Sequence, residues 1–133
     1  MPHAELFYHI VMGIESEEPL HKLTKTLVET RLEEGIDSLG GKLIDSAVMP
    51  DHVHLLVMLP PGAPIDTVVY ELKESTGQMV EGMGREESLE WSRGYGVVSV
   101  SRSHLDILEK YLSEQEKRHS SGNVNETLEK IEP

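Results

Sequence analysis

The chain is expected to fold as an α+β sandwich, with helices laid on an antiparallel sheet. Three observations lead there. Strand-type and helix-type apolar segments follow one another in the order β-α-β-β-α-β-α, and glycine and proline mark most of the boundaries between them. The length of 133 residues suits one domain, since domains most often run to about 100–150 residues. Hydrophobic residues make up 38% and charged residues 27%, enough for a core and inconsistent with wholesale disorder.

The first apolar run, Leu6 to Met12, is rich in aromatic and β-branched residues, ends at Gly13 and reads as a largely buried strand. Pro19 occupies what looks like a first helical position behind Glu17 and Glu18. Leu20, Leu23, Leu27, Leu32, Ile36 and Leu39 then mark an amphipathic helix of about 20 residues, which Gly40-Gly41 stops. Leu43 to Val48 and His52 to Leu59 are two strands around a Met49-Pro50-Asp51 turn, and Pro60-Pro61-Gly62-Ala63-Pro64 ends the second. Ile65, Val68, Leu72, Met79 and Met83 mark a second helix that finishes near Gly82 and Gly84. Arg85 to Arg93 reads as a polar connector, and Val97 to Val100 as a short fourth strand. Ser103, with Asp106 three residues on, reads as a capping-box start for a last helix whose stripe is Leu105, Leu108 and Leu112. After His119 the sequence turns linker-like and acidic. A β-α-β-β-α-β core of this kind is a ferredoxin-like sandwich, here with one helix appended.

Composition removes several functions. With no Cys, disulfides, cysteine-ligated zinc and thiol nucleophiles are excluded. No apolar run approaches the roughly 18–20 residues of a membrane span. Met1 to Glu5 lacks a secretory profile, and cytoplasm is the default compartment. No internal repeat, glycine-rich nucleotide fingerprint or nucleophile-elbow serine occurs. Twelve Lys+Arg against 24 Asp+Glu give a formal charge of −12, which argues against a protein that coats nucleic acid but leaves room for a local basic site. The charge is uneven: Glu15 to Asp37 holds seven acids and three bases, whereas Arg93 to Arg118 holds five bases and four acids.

The most informative segment is Met49-Pro50-Asp51-His52-Val53-His54-Leu55-Leu56-Val57. Strand side chains alternate faces, so His52 and His54 project the same way, roughly 6.5–7 Å apart along the backbone, and two such imidazoles can clamp one metal ion. Unrelated surface histidines make the same short pattern. Asp51 points the other way and is a candidate to orient the turn or to back one of the histidines. On the last helix Tyr111 and Gln115 stand one turn apart. An amide oxygen there can complete a His-His-O metal site beside a phenol nucleophile. Tyr70 and Glu74 offer the same spacing on the second helix, and geometry read from sequence does not choose between the pairs.

Three blocks carry a resemblance: Met49–Val57, then Trp91-Ser92-Arg93-Gly94-Tyr95-Gly96-Val97-Val98-Ser99-Val100-Ser101, then Tyr111-Leu112-Ser113-Glu114-Gln115-Glu116-Lys117-Arg118-His119. In order and spacing the chain resembles the small single-tyrosine HUH transposases of the IS-two-hundred-like (TnpA) type, with their REP-associated tyrosine transposase relatives, from the first strand to about His119. The resemblance implies a transposase domain over residues 1–120, followed by an acidic tail over 121–133. It places the histidine–hydrophobe–histidine motif on His52, Val53 and His54, the tyrosine on Tyr111 and the glutamine ligand on Gln115, which sets Tyr70 aside.

What the resemblance implies is an enzyme that breaks and joins single-stranded DNA. His52, His54 and Gln115 would hold one Mg²⁺ or Mn²⁺, and Tyr111 would attack phosphorus to leave a 5′-phosphotyrosine and a free 3′-OH. Partners implied are DNA hairpins at element ends and a second copy of the chain, with active sites shared between subunits. Related sequences carry a Lys/Arg-rich stretch after the first strand; here the matching segment is Gly13-Ile14-Glu15-Ser16-Glu17-Glu18-Pro19. Phosphate contacts therefore fall to Lys73, Arg93, Arg102, Lys117 and Arg118. That acidic segment also motivates an alternative, a catalytically idle, transposase-derived DNA-binding or regulatory module. A metal-binding scaffold with no DNA role is a third reading.

Overall fold

The computed structural model describes residues 3–114. Four strands and three helices follow in the expected order: β1 (Leu6–Gly13), α1 (Lys22–Ser38), β2 (Lys42–Val48), β3 (His52–Leu59), α2 (Ile65–Gly82), β4 (Gly96–Val100) and α3 (Leu105–Ser113). The sheet runs β2-β3-β1-β4 with every neighbouring pair antiparallel, which is the ferredoxin-like order. The acidic tail over 121–133, with Gln115, Lys117, Arg118 and His119, lies outside the described residues.

Period-two alternation divides the sheet into two chemistries. One face sends Ile10 and Met12 of β1 and Val53, Leu55 and Val57 of β3 against Val28, Leu32 and Ile36 of α1 and Val68, Val69 and Leu72 of α2. The other face packs Leu56 against Leu108, Tyr111 and Leu112 of α3, with Ile44, Ala47 and Val100 at the margin. β3 is covered on both sides, which accounts for its nearly continuous apolar sequence.

The turn between α1 and β2 follows the sequence closely. Gly40 takes φ +83°, its N–H reaches the Asp37 carbonyl, and the N–H of Gly41 reaches that of Ile36, a Schellman stop. Gly41 has a second reason to be glycine: a Cβ there would lie 2.5 Å from the Met58 carbonyl oxygen of β3.

Two helix starts differ from expectation. α1 begins at Lys22 rather than at Pro19, because its cap comes from far along the chain. The Glu87 carboxylate accepts from the His21 N–H at 2.9 Å and from the Thr24 hydroxyl at 2.6 Å. These bonds hold the Glu87 carboxyl below the ordinary range, the Thr24 bond most strongly. α3 has no capping box: a single 3-10 turn, Arg102–His104, precedes it, and the Ser103 hydroxyl lies beside Ser101 Oγ and His104 Nδ1 instead of capping the helix. The buried face of α1 is also rotated from the expected stripe. Thr24, Val28, Leu32 and Ile36 are buried, while Leu23 is 59% exposed.

The connector between α2 and β4 is ordered. Ile14 bridges Trp91, Ser16 Oγ accepts from the Glu90 N–H, and the Trp91 indole donates to Thr76 of α2. This stretch ties the α1 start, the α2 face and the end of β1 into one corner.

Candidate active site

Strand register assembles the site on the α3 face. Gly13 stands opposite His52, Val11 opposite His54, and His9 opposite Leu56, so His9 is the diagonal neighbour of His54. All three histidines are buried, His54 completely. His52 Nε2 and His54 Nε2 lie 3.1 Å apart with their ring planes nearly perpendicular. On the far side of His54, Nδ1 meets His9 Nε2 at 2.9 Å, and those two rings lie edge to edge with their planes 8° apart and centroids 5.0 Å apart.

Asp51 stands behind His52. Its Oδ1 accepts from His52 Nδ1 at 2.6 Å, which assigns the hydrogen of that ring to Nδ1 and turns Nε2 toward His54. Asp51 itself is exposed, so the charge stays in water while the imidazole is held in place.

The ring of Tyr111 closes the group. Buried at 6% exposure, it meets His54 edge-on at a centroid distance of 6.1 Å, with Leu108 and Leu112 locating α3 on the sheet. Tyr70 and Glu74 are exposed on α2, on the opposite side of the sheet. The geometry thus brings His52, His54, Asp51 and Tyr111 together and leaves the alternative pair apart. Gln115, the third expected ligand, lies outside the described residues.

Two nitrogens that share a divalent cation, each about 2.1 Å from it, lie roughly 3.0–3.4 Å apart, so the observed 3.1 Å fits a common ion. The fit is chemical as well: a neutral imidazole backed by a carboxylate is a common ligand arrangement for divalent metals. Among the described residues no three His, Cys, Asp or Glu side chains converge on one point, so the pair needs a further donor from elsewhere.

A cleft of about 310 Å³ borders His52, lined by Ser16, Glu17, Pro19, Met49, Pro50 and Asp51. A larger hollow of about 730 Å³ between the β1–α1 loop and the connector carries Glu17, Glu18, Glu86, Glu87 and Glu90 against one Arg85, a surface that repels phosphate. Of the expected phosphate contacts, Lys73 gives its ammonium to the Ser92 and Gly94 carbonyls at 2.9 and 2.8 Å, and its burial lowers its pKa. Arg102 is 70% exposed and pairs with Glu5 at 3.1 Å, while Arg93 is exposed on the loop that Lys73 holds. Lys117 and Arg118 lie outside the described residues.

His9 is the member of the site that the sequence reading passed over. Its signal was there: a lone imidazole inside the apolar run Leu-Phe-Tyr-His-Ile-Val-Met must find a polar partner if the strand is buried.

The family described as "Transposase IS200 like" matches residues 3–115. The chain belongs to that family. Two solved structures show the same fold. A transposase candidate from Deinococcus radiodurans R1 superposes with a TM-score of 0.67 at 22% identity, covering 86% of this chain and 93% of that one. A REP-associated tyrosine transposase bound to a REP hairpin superposes with a TM-score of 0.65 at 12% identity, covering 93% of this chain and 74% of that one. No curated protein matches the chain. Among the described residues of this IS200-like transposase, no helix is long and apolar enough to cross a membrane.

Proposed function

We propose that this transposase cuts and rejoins single-stranded DNA through a covalent 5′-phosphotyrosine on Tyr111, with Mg²⁺ or Mn²⁺ held by His52, His54 and Gln115. The observation that carries the reading is the placement of Tyr111 edge-on to His54, whose Nε2 stands 3.1 Å from that of His52, all within one chain. The bound ion supplies Lewis-acid polarisation of the scissile phosphate and offsets charge in the transition state. The rest falls to side chains. The Tyr111 oxygen takes the phosphorus, the bond from phosphorus to O3′ breaks, the phenolic hydrogen leaves as a proton and O3′ gains one. The phosphotyrosine conserves the phosphodiester energy, so a second DNA end can replace the tyrosine without a nucleotide cofactor. Asp51 orients His52, and the buried surroundings of His54 keep its ring in one pose.

The substrate is proposed to be a hairpin at an element end, in keeping with the hairpin held by the REP-associated neighbour. Arg93 and Arg102, with Lys117 and Arg118, are its phosphate contacts, and Lys73 supports the Arg93 loop. A homodimer seamed along an outer strand, β2 or β4, with sites shared between subunits, belongs to the same proposal. The deciding experiment offers the purified chain single-stranded DNA from its own element's ends with Mn²⁺. A protein–DNA adduct that survives denaturing electrophoresis and vanishes in Y111F is expected, and its absence overturns the reading.

A second reading, an idle DNA-binding or regulatory module, is favoured by one observation: Glu17 of the acidic loop lines the cleft beside His52. DNA binding without any Tyr111-dependent adduct is its signature.

A further inference from the structure

The inference concerns His9 and rests on the metal reading above. His54 uses both ring nitrogens, Nε2 toward His52 and Nδ1 toward His9, and it is fully buried, so the partner on the Nδ1 side decides which nitrogen carries its hydrogen. Without an ion the contacts form one directional chain. Because the Asp51 carboxylate can only accept, the neutral rings are assigned in one direction: His52 Nδ1–H donates to Asp51, His54 Nε2–H to His52 Nε2, and His9 Nε2–H to His54 Nδ1. A cation between the two Nε2 atoms requires both to be bare. The His54 hydrogen then belongs on Nδ1, pointing at His9, which must accept where it had donated. A neutral imidazole can do so by moving its own hydrogen from Nε2 to Nδ1; each ring keeps one N–H and the proton count is unchanged.

We propose that His9 is a positioning residue for the metal site. It meets His54 edge to edge with the two ring planes nearly parallel, and it is the reversible hydrogen-bond partner that lets His54 present a bare Nε2 to the ion. An apolar side chain at position 9 serves neither form. A glutamine serves both, because its amide can turn either its oxygen or its N–H toward His54.

The test is a Mn²⁺ titration of the full chain, with free ion read by electron paramagnetic resonance, on the native protein and on H9L, H9M, H9Q and H52A. Melting of each metal-free variant is recorded alongside, and H9M is included because methionine fills an irregular gap where leucine fails to fold. Native binding that H52A abolishes is expected, with H9L and H9M about 10- to 100-fold weaker and H9Q within about threefold of native. If the apolar variants bind as tightly as the native chain while H52A does not bind, the role of His9 is overturned and the metal reading stands. An H9Q as weak as H9L also overturns it, since packing rather than the bond would then matter. Absent Mn²⁺ binding, or binding indifferent to H52A, overturns the metal reading and the role of His9 with it.

Discussion

The ring of Tyr111 stands edge-on to that of His54, centroids 6.1 Å apart and planes at 86°, on the same chain. The tyrosine is therefore both a core residue, wedged beside Leu108 and Leu112 against Leu56, and a phenol set beside the imidazole of His54. The two roles separate by substitution.

Tyr111→Phe removes the oxygen and keeps the ring. DNA adduct formation should fall by on the order of 10³-fold or more, as removal of a nucleophile does. Stability should change by no more than about 1.5 kcal/mol, the scale of one hydrogen bond. Denaturant unfolding beside the gel assay checks both halves, and a collapsed fold in Y111F would make the hydroxyl structural.

Gly41→Ala and Gly35→Ala test how closely the layers approach. A Cβ at Gly41 meets a β3 carbonyl at 2.5 Å, which the backbone can relieve only by moving; one at Gly35 meets Leu72 Cδ2 at 2.7 Å, the tip of a side chain that can rotate. G41A should cost about 1–3 kcal/mol and G35A less, the ordering being read from urea midpoints. The reverse order would show that the α1–α2 contact is the stiffer one.

Glu87 sets an acid limb. Its carboxyl titrates below the ordinary value of 4.5 because Thr24 and His21 donate to it. It therefore stabilises the fold fully above that value and loses the contribution as pH falls through its lower folded-state pKa. Melting temperatures of the native chain and E87Q should differ at neutral pH and converge in acid. A gap constant with pH would mean that charge on Glu87 plays no part in starting α1.

Arg93 and Lys73 should part company. R93A should leave stability within about 0.5 kcal/mol. It should also weaken binding of single-stranded hairpins and reduce the salt slope by roughly 0.7, one phosphate contact. K73M, which leaves the Ser92 and Gly94 carbonyls without their donor, should cost about 1–3 kcal/mol in denaturant unfolding. An R93A protein with an unchanged salt slope would remove Arg93 from the DNA surface.

Features written locally were legible in the sequence. β3 begins at His52 and ends at Leu59 as read, since a proline turn and a proline run bound it. The stop at Gly40 follows from backbone freedom, since its φ is +83°. The side-by-side projection of His52 and His54 follows from strand period, and their meeting at 3.1 Å accords with it. Features that depend on distant segments were not legible. The start of α1 is set by Glu87, more than 60 residues away, and leucine spacings of three to five left its buried face undetermined until α2 packed against Val28 and Leu32. His9 joined the site only once the register placed it diagonal to His54.

β3 carries ligands on one side and core on the other: His52 and His54 toward α3, Val53 and Leu55 toward the helical layer. Deleting or adding one residue in the turn before it would swap the two sets, burying imidazoles among aliphatics and stranding valine beside the tyrosine. Chemistry and folding would fail in the same step. Frame-preserving drift in this strand can thus silence the protein only by replacing side chains one at a time, so an inactive descendant that still folds should keep its spacing here even after its histidines are gone.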